Sequence, residues 1–241
     1  MSLTCHLMGI SKSYGGRKIL EPADYEFPPG KITCIIGPNG SGKSTLLGIA
    51  SYLVKPDGGT VEYKDGGSPI PFGLSLRRRL TSVTQAPLLF NTTLFKNITY
   101  GLKFRNLTNE EIRARANKAL ELGGLSHLSN AGARTLSGGE AQRAAMVRAY
   151  ALRPEALFLD EPFSNLDPEG GRLMERLTLK MKDDGAAVAL VTHNLFQARR
   201  LSDRVYFLFN GRLVESGEAD WFFNDPKEDL TRQFMSGEML F

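Results

Sequence analysis

Nine consecutive residues have the types and spacing of a loop that binds phosphate groups. They fit the pattern G-x-x-x-x-G-K-[ST] and are Gly37, Pro38, Asn39, Gly40, Ser41, Gly42, Lys43, Ser44 and Thr45. Glycines let the backbone turn tightly, so the N–H groups of residues 39–45 can point at phosphate oxygens near the positive end of the following helix. Lys43 adds a positive charge for the β- and γ-phosphates, and the Ser44 hydroxyl can bind Mg²⁺. This segment, the phosphate loop, therefore predicts a nucleotide site.

Two adjacent acidic residues form a second candidate. Asp160 and Glu161 end the apolar run that starts at Ala156, and such runs are typical of parallel strands covered on both faces. Ligands of open α/β folds bind at the carboxyl ends of such strands. There Asp160 would hold Mg²⁺, directly or through water, and Glu161 would orient and polarise an attacking water molecule. The alternative, a strand that only ends in an acidic turn, is disfavoured by the phosphate loop upstream.

A third candidate is the segment 136–140, Leu-Ser-Gly-Gly-Glu, named here the signature turn. Ser137 and Glu140 have the spacing of a capping box at the start of a helix, and on that interpretation the glycines only serve the turn. A capping box does not require two glycines. With Gly138 and Gly139, the backbone N–H groups and the Ser137 hydroxyl would form a second anion site at a helix N-terminus.

The periodicity of the chain predicts the elements that position these candidates. Strands are expected at residues 3–10, 18–27, 31–36, 60–63, 80–84, 156–160, 186–191, 204–209 and 212–216, the last two joined by an Asn-Gly hairpin turn. Helices are expected at residues 43–54, 108–122 and 137–152, from residue 167 onward, and in the tail 219–241. Thr108 and Glu111 have the spacing of a capping box at the start of the second of these helices. Residues 65–79 are rich in Gly, Ser and Pro and are expected to be irregular.

This order of elements predicts an α/β fold of the P-loop NTPase type, with a parallel central sheet, an antiparallel β subdomain and an inserted α-helical subdomain. The chain is expected to form one domain. Residues 1–85 and 153–241 would form the nucleotide-binding α/β core with the antiparallel β subdomain, and residues 86–152 the helical subdomain that carries the signature turn.

Composition narrows the class of protein. With 241 residues, the chain is long enough to bury a large core without disulfides, and Cys5 and Cys34 are expected to be buried, reduced thiols. A net charge of +4, with no basic tract longer than the arginines at 77–79, argues against dedicated nucleic-acid binding. No signal peptide or bilayer-spanning run is recognised, so any membrane connection is expected through a partner.

These motifs together resemble those of the ATPase subunit of ATP-binding cassette (ABC) transporters, and the resemblance covers essentially the whole chain. The phosphate loop matches the family's first nucleotide motif, and Asp160 with Glu161 matches the second. The signature turn matches the motif that contacts ATP held by the opposite subunit. The resemblance implies ATP and Mg²⁺ as cofactors. The family commonly has Gln where Glu140 stands, and a carboxylate beside a triphosphate is unfavourable, so Glu140 is expected to cap its own helix instead.

Four further residues take their roles from the resemblance alone. Tyr14 matches the aromatic residue that stacks on adenine, although outside the family context an exposed turn tyrosine would be the simpler interpretation. Gln85 resembles the glutamine that senses Mg²⁺ and the membrane partner. Asn165-Leu-Asp167 resembles the loop that links the two ATP sites, here represented by Asp167. His193 resembles the switch histidine that contacts the γ-phosphate; an isolated histidine after a strand is otherwise usually structural.

The resemblance also implies partners. Two copies would close head to tail around two ATP molecules, each held by one phosphate loop and one signature turn. Transmembrane permease subunits would bind the pair at the cytoplasmic face of the membrane, with an extracytoplasmic solute-binding protein acting indirectly and no nucleic acid involved. The apolar segment 86–91 with Phe95 would either receive a cytoplasmic helix of the permease or belong to the subdomain core.

The prediction of the transported solute rests only on the residues near the end of the sequence. Residues 222–227 and 231–238 resemble those of oxyanion importer ATPases, above all the tungstate type and next the phosphate type. The alternative is an importer for another small solute such as a polar amino acid. An alternative of another class is a soluble cassette protein that acts on nucleic acid or ribosomes, although such proteins tend to carry two cassettes or long inserts. A phosphate-loop kinase would leave the signature turn without a role.

Overall fold

The computed structural model describes residues 3–164 and 166–238. The described strands are β1 (Leu3–Tyr14), β2 (Arg17–Phe27), β3 (Ile32–Ile36), β4 (Gly58–Asp65), β5 (Ser68–Ile70), β6 (Leu80–Val83), β7 (Ala156–Asp160), β8 (Ala187–Val191), β9 (Arg204–Phe209) and β10 (Arg212–Glu218). The α-helices are α1 (Lys43–Ala50), α2 (Leu74–Arg77), α3 (Leu94–Tyr100), α4 (Asn109–Leu122), α5 (Gly138–Leu152), α6 (Pro168–Asp183), α7 (Leu195–Leu201), α8 (Ala219–Asn224) and α9 (Asp229–Ser236). Single 3₁₀ turns occupy Gly101–Phe104, Ser126–Leu128 and Ala133–Thr135.

Two sheets organise these elements. The main sheet has the order β10-β9-β3-β8-β7-β6, and its strands are parallel except for the β9–β10 hairpin. The second sheet, β2-β1-β4-β5, is antiparallel. Helices α3, α4 and α5 lie between β6 and β7 in the chain, and those two strands pair side by side. The predicted fold class is confirmed.

The main sheet is buried on both faces, as the continuous apolar runs predict. Along β8, Val188 and Leu190 face one core, which also contains residues of α3–α8. Ala187, Ala189 and Val191 face the other core, which lies against α1 and the antiparallel sheet. Because every β8 side chain is covered, this strand forms a rigid support for the loops at its carboxyl end.

Both helices with a predicted capping box have one. The Thr108 hydroxyl accepts a hydrogen bond from the Glu111 N–H, and the Glu111 carboxylate accepts one from the Thr108 N–H, at the start of α4. The same reciprocal pair joins Ser137 and Glu140 at the start of α5. Each box satisfies two N–H groups that the first helical turn leaves free.

Three predictions of local structure were right only in part. Residues 65–79 are not irregular throughout, because β5 closes a hairpin with β4 and α2 follows it. Helix α1 ends at Ala50 rather than near Val54, since the N–H groups of Leu53 and Val54 both turn back to the Gly48 carbonyl. The tail is two helices, α8 and α9, with Pro226 between them, and a proline is disfavoured inside a helix.

The two cysteines are buried free thiols. Burial raises the pKa of Cys5 to about 12 and raises the pKa of Cys34 as well, to which the nearby Glu161 carboxylate adds. Both thiols are therefore held in the uncharged form that packs as a small apolar group. None of the helices that the structure describes is long and apolar enough to cross a membrane.

Candidate functional site

The phosphate loop connects β3 to α1 at the carboxyl edge of the main sheet. Gly37, Gly40 and Gly42 all have positive φ angles, of 146°, 77° and 99°. A Cβ atom on Gly37 would lie 2.0 Å from the Leu208 carbonyl oxygen, and one on Gly42 would lie 2.7 Å from the Ile19 carbonyl oxygen. At these two positions glycine is required both by the backbone angle and by the close approach of neighbouring strands.

Replacing Gly37 with alanine should therefore disrupt the loop. We expect Gly37→Ala to lower the free energy of unfolding by about 3 kcal/mol, because the methyl group would overlap a backbone oxygen that cannot move without displacing β9. The matched control is Gly171→Ala, where the added Cβ meets nothing within 4 Å. Urea unfolding of both variants measures the effect. Equal stability of the two variants would contradict this packing account.

One cavity of about 590 Å³ gathers most of the predicted site residues. We call it the nucleotide cavity. The predicted residues that line it are Tyr14, Asn39, Gly40, Gly42, Lys43, Ser44, Thr45, Gln85, Asp160, Glu161 and His193. Ile19 and Val191 also line it, and neither was predicted. Both are ordinary strand residues, Ile19 in the antiparallel sheet and Val191 in the main sheet. They reach the cavity wall only because the two sheets pack together.

Lys43 is buried beneath the phosphate loop. Its ammonium group donates hydrogen bonds to the carbonyl oxygens of Gly37, at 2.8 Å, and Pro38, at 2.7 Å. Burial lowers the pKa of Lys43, while the carboxylates of Glu161 and Asp160 act in the opposite direction. Ser41 is also buried, and its hydroxyl has no hydrogen-bond partner among the described residues. A cation removed from water at the floor of a cavity is suited to binding an anion.

Glu161 and His193 are in contact within the same cavity. Nδ1 of His193 lies 2.8 Å from Oε2 of Glu161. Glu161 has a φ of 49°, an unusual value for a residue with a side chain, and its N–H donates to the Val191 carbonyl oxygen at 3.0 Å. Positive φ at a non-glycine residue carries strain, which often occurs at functional sites. The contact joins the ends of β7 and β8, so it depends on the parallel pairing of those strands.

Tyr14 presents its ring at the rim of the cavity. It is 51% exposed, and the Lys12 ammonium group lies 5.1 Å from the ring centroid. Lys12 in turn pairs with Asp57 at 2.8 Å, and Asp57 also accepts a hydrogen bond from the Ser13 N–H. The end of β1 is thereby anchored, which leaves the tyrosine ring accessible for stacking.

Three side chains in the cavity suit a magnesium ion. Ser44, Gln85 and Asp160 supply a hydroxyl, an amide and a carboxylate, the hard oxygen donors that Mg²⁺ prefers. Residues 3–164 and 166–238 contain no group of three or more His, Cys, Asp or Glu side chains placed to hold a metal. This donor set fits an ion bound jointly by a few side chains and by phosphate oxygens.

The signature turn lies outside the nucleotide cavity. None of Ser137, Gly138, Gly139 and Glu140 lines it. The carboxylate of Glu140 accepts hydrogen bonds at 2.7 Å from both the N–H and the hydroxyl of Ser137, as expected for a residue that caps its own helix. These bonds, first the one from the hydroxyl, lower the pKa of Glu140. The N–H groups of Gly138 and Gly139 occupy the first helical turn, where no intrahelical acceptor is available.

Asp167 also lies apart from the nucleotide cavity. Its carboxylate caps α6 by accepting a hydrogen bond from the Gly170 N–H at 3.2 Å, and it borders a second cavity between α6 and α7. Asn165, at the other end of this predicted loop, lies outside the described residues. The chain thus brings the phosphate loop together with Tyr14, Gln85, the acidic pair and His193, but not with the signature turn or Asp167.

Comparison with known proteins identifies relatives of this arrangement. The model of the family described as ABC transporter matches residues 20–164. The tungstate uptake system ATP-binding protein TupC of Peptoclostridium acidaminophilum is 41% identical over 215 residues, which cover 89% of this chain and 97% of that protein. The phosphate import ATP-binding protein PstB 2 of Natronomonas pharaonis is 36% identical over 246 residues, covering 97% of this chain and 86% of that protein. Among solved structures, the dimeric bacterial ABC transporter cassette MJ0796 matches with a TM-score of 0.80 and 29% identity, covering 89% of this chain and 98% of that one.

Proposed function

This chain belongs to the ABC transporter family as an importer ATPase, and we propose that the solute it helps to import is an oxyanion of the tungstate type. The ATPase activity is supported chiefly by the nucleotide cavity. There the phosphate loop, the acidic pair and His193, which follow three separate strands, lie together. The solute proposal is supported by the similarity to TupC, which extends over nearly the whole of that protein. Phosphate is the second candidate, supported by the similarity to PstB 2.

Different residues of the nucleotide cavity would bind different parts of ATP. We assign the phosphates to the backbone of the phosphate loop and to Lys43, and the adenine to the exposed ring of Tyr14. Ser44, Gln85 and Asp160 would hold Mg²⁺, which when bound offsets the charge of the β- and γ-phosphates. Because Lys43 already lies buried against loop carbonyls, little rearrangement is needed to present it to a phosphate.

Hydrolysis is assigned to Glu161 and His193, which also line the cavity. Glu161 orients a water molecule and accepts its proton as the water attacks the γ-phosphorus. His193 keeps a hydrogen bond to Glu161, and its exposed ring would contact the γ-phosphate. In the transition state the bond to the leaving oxygen of ADP breaks as the new bond forms, and the Lys43 charge favours the oxygens that become more negative.

The signature turn completes the site from a second copy. Since it lies outside the cavity of its own chain, its free N–H groups cannot serve the phosphates bound there. We therefore propose a head-to-tail dimer in which residues 137–140 of each copy close over the ATP of the other. Asp167 lies on the loop that would run between the two sites. On this proposal residues 86–152 move as a helical subdomain against residues 1–85 and 153–241 when the dimer closes.

An exposed apolar surface is proposed to receive the membrane permease at the cytoplasmic face. Leu88 is 85% exposed, and the ring of Phe90 lies 4.5 Å from that of Tyr100, which in turn is 5.5 Å from Phe104. Phe95 follows the second of the two alternatives for this segment, because its side chain packs, partly buried, against the main core. Phe104 takes its place, because the 3₁₀ turn after α3 brings it to the surface. The solute-binding protein would act only through the permease.

If the apolar surface binds the permease, substitutions there should abolish permease binding and leave ATP hydrolysis in solution unchanged. The double variant Phe90→Ser, Tyr100→Ser should hydrolyse ATP at the parental rate in solution, because neither residue lines the nucleotide cavity. It should no longer co-purify with its cognate permease, or gain ATPase activity from that permease in proteoliposomes. Met8→Ser, at an exposed apolar residue on the antiparallel sheet, is the matched control. Recovery of ribosomes or DNA in place of a membrane protein would contradict the transporter assignment.

The solute is tested in the same proteoliposomes with the cognate solute-binding protein added. Tungstate should stimulate ATP hydrolysis, while phosphate and a polar amino acid should not. Stimulation by phosphate alone would identify phosphate, not tungstate, as the solute. Stimulation by an amino acid alone would exclude both oxyanions.

A further inference from the structure

A buried carboxylate on α6 has no part in the roles assigned above. Glu175 is only 8% exposed, and Oε1 of its side chain accepts a hydrogen bond at 2.5 Å from the Arg200 guanidinium group on α7. The arginine side chain is itself more than half exposed. Burying a carboxylate is costly, and a half-solvated arginine only partly offsets that cost. An apolar residue here would pack the two helices at least as well. Packing of α6 against α7 therefore does not explain why this position is a glutamate.

Glu175 also reaches the turn that carries His193. Its Oε1 accepts a hydrogen bond from Nε2 of Gln197 at 3.4 Å, and Oε1 of Gln197 accepts one from the Thr192 hydroxyl at 3.2 Å. Thr192 Oγ1 then accepts the Asn194 N–H at 3.1 Å. The Gln197 N–H donates to Oδ1 of Asn194, also at 3.1 Å. Both neighbours of His193 are therefore tied to Gln197, and Gln197 is tied to Glu175.

His193 needs such support from outside its own side chain. The imidazole is 70% exposed, and its one hydrogen bond among the described residues is the 2.8 Å contact with Glu161. An exposed ring held by a single bond is oriented mainly by its backbone. Displacement of a catalytic group by about 1 Å can lower a rate by roughly 100-fold.

We propose that Glu175 is a positioning residue for ATP hydrolysis, which acts through Gln197 and Thr192 to hold His193 against Glu161. The inference rests on the role of His193 under the proposed function. It also links two parts of the site, because the side chain of Asp167 caps α6 and Asp167 lies on the loop that would run between the two ATP sites. A shift of α6 when the dimer closes would reach the His193 turn through this one chain of hydrogen bonds.

The first test separates positioning from binding. Glu175→Leu should lower kcat for ATP roughly 10-fold and leave KM within about twofold, because the turn loses its support while the phosphate loop is untouched. Glu175→Gln keeps an oxygen that can accept from Gln197 and should recover most of kcat. If both variants hydrolyse ATP at the parental rate, the proposal is overturned.

Two further variants guard against a change in folding alone. Gln197→Leu keeps the pair between Glu175 and Arg200 but removes the link to Thr192, and it should lose kcat to the same extent as Glu175→Leu. Leu177→Ala, a buried position on the same helix outside the hydrogen-bonded chain, should lower the melting temperature without lowering kcat at 25 °C. A parental kcat for Gln197→Leu would overturn the proposal even if Glu175→Leu fails to fold.

A double-mutant cycle with His193→Ala gives the decisive readout. If Glu175 acts through His193, adding Glu175→Leu to His193→Ala should lower kcat by less than about twofold further. A purely structural role would instead multiply the two losses, and that result would overturn this inference alone. A parental kcat for the single variant His193→Ala would overturn both this inference and the assignment of His193 under the proposed function.

Discussion

Lys43→Ala is expected to lower the affinity for ATP by roughly 100-fold or more. The ammonium group is held beneath the phosphate loop by the carbonyl oxygens of Gly37 and Pro38, so it needs no ordering when phosphate binds. A charge-assisted contact of this kind contributes about 3 kcal/mol when it is removed from water. Titration calorimetry with ATP and Mg²⁺ measures the loss directly.

The matched control is Lys55→Ala, an exposed lysine after α1 that does not line the nucleotide cavity. It should bind ATP with parental affinity, which shows that removal of a positive charge is not enough by itself. Unchanged ATP affinity in Lys43→Ala would mean that the phosphate loop is not the nucleotide site.

Glu161→Gln is expected to keep ATP binding and to lower hydrolysis by about 100-fold or more. The amide has the shape of the carboxylate and can still form a hydrogen bond with His193, but it cannot accept a proton from water. Removing a positioned general base costs a factor of about 10² to 10⁴. Release of inorganic phosphate at saturating ATP is the appropriate measurement.

Glu169→Gln serves as the control for this second substitution. Glu169 is an exposed carboxylate in the first turn of α6, close to the site in sequence but outside the nucleotide cavity. It should hydrolyse ATP at the parental rate. If Glu161→Gln did so too, the base would have to be another residue, and the strained backbone at Glu161 would require a different explanation.

The sequence predicted those parts of the fold that are encoded locally. Both capping boxes, the β9–β10 hairpin and the buried parallel strands were expected and are present. The segment 65–79 was missed because its composition of Gly, Ser and Pro is the same in a loop and in a short hairpin. Only pairing with β4 makes Ser68–Ile70 a strand. The sequence also could not decide whether Phe95 is exposed or part of the core. The tertiary packing of α3 covers the ring of Phe95 in part and leaves the ring of Phe104 exposed.

The site shows the same division. The phosphate loop, the acidic pair and the signature turn were predicted from spacing, whereas Tyr14, Gln85, Asp167 and His193 were predicted through the family resemblance. No local pattern could place them together, because Tyr14 and His193 lie 179 positions apart in the sequence (193 − 14). The link from Glu175 to Gln197 was not foreseen for the same reason. It joins residues 22 positions apart whose contact depends on how α6 packs against α7.

On the proposed function, one chain contains half of each ATP site. The most direct test is the mass of Glu161→Gln in solution with ATP and Mg²⁺, measured by multi-angle light scattering on a size-exclusion column. The mass should be twice the 26.6 kDa of one chain, and adding Ser137→Arg should return it to 26.6 kDa while ATP still binds. A variant that binds ATP yet remains at 26.6 kDa without Ser137→Arg, or a dimer that persists with it, would contradict the account.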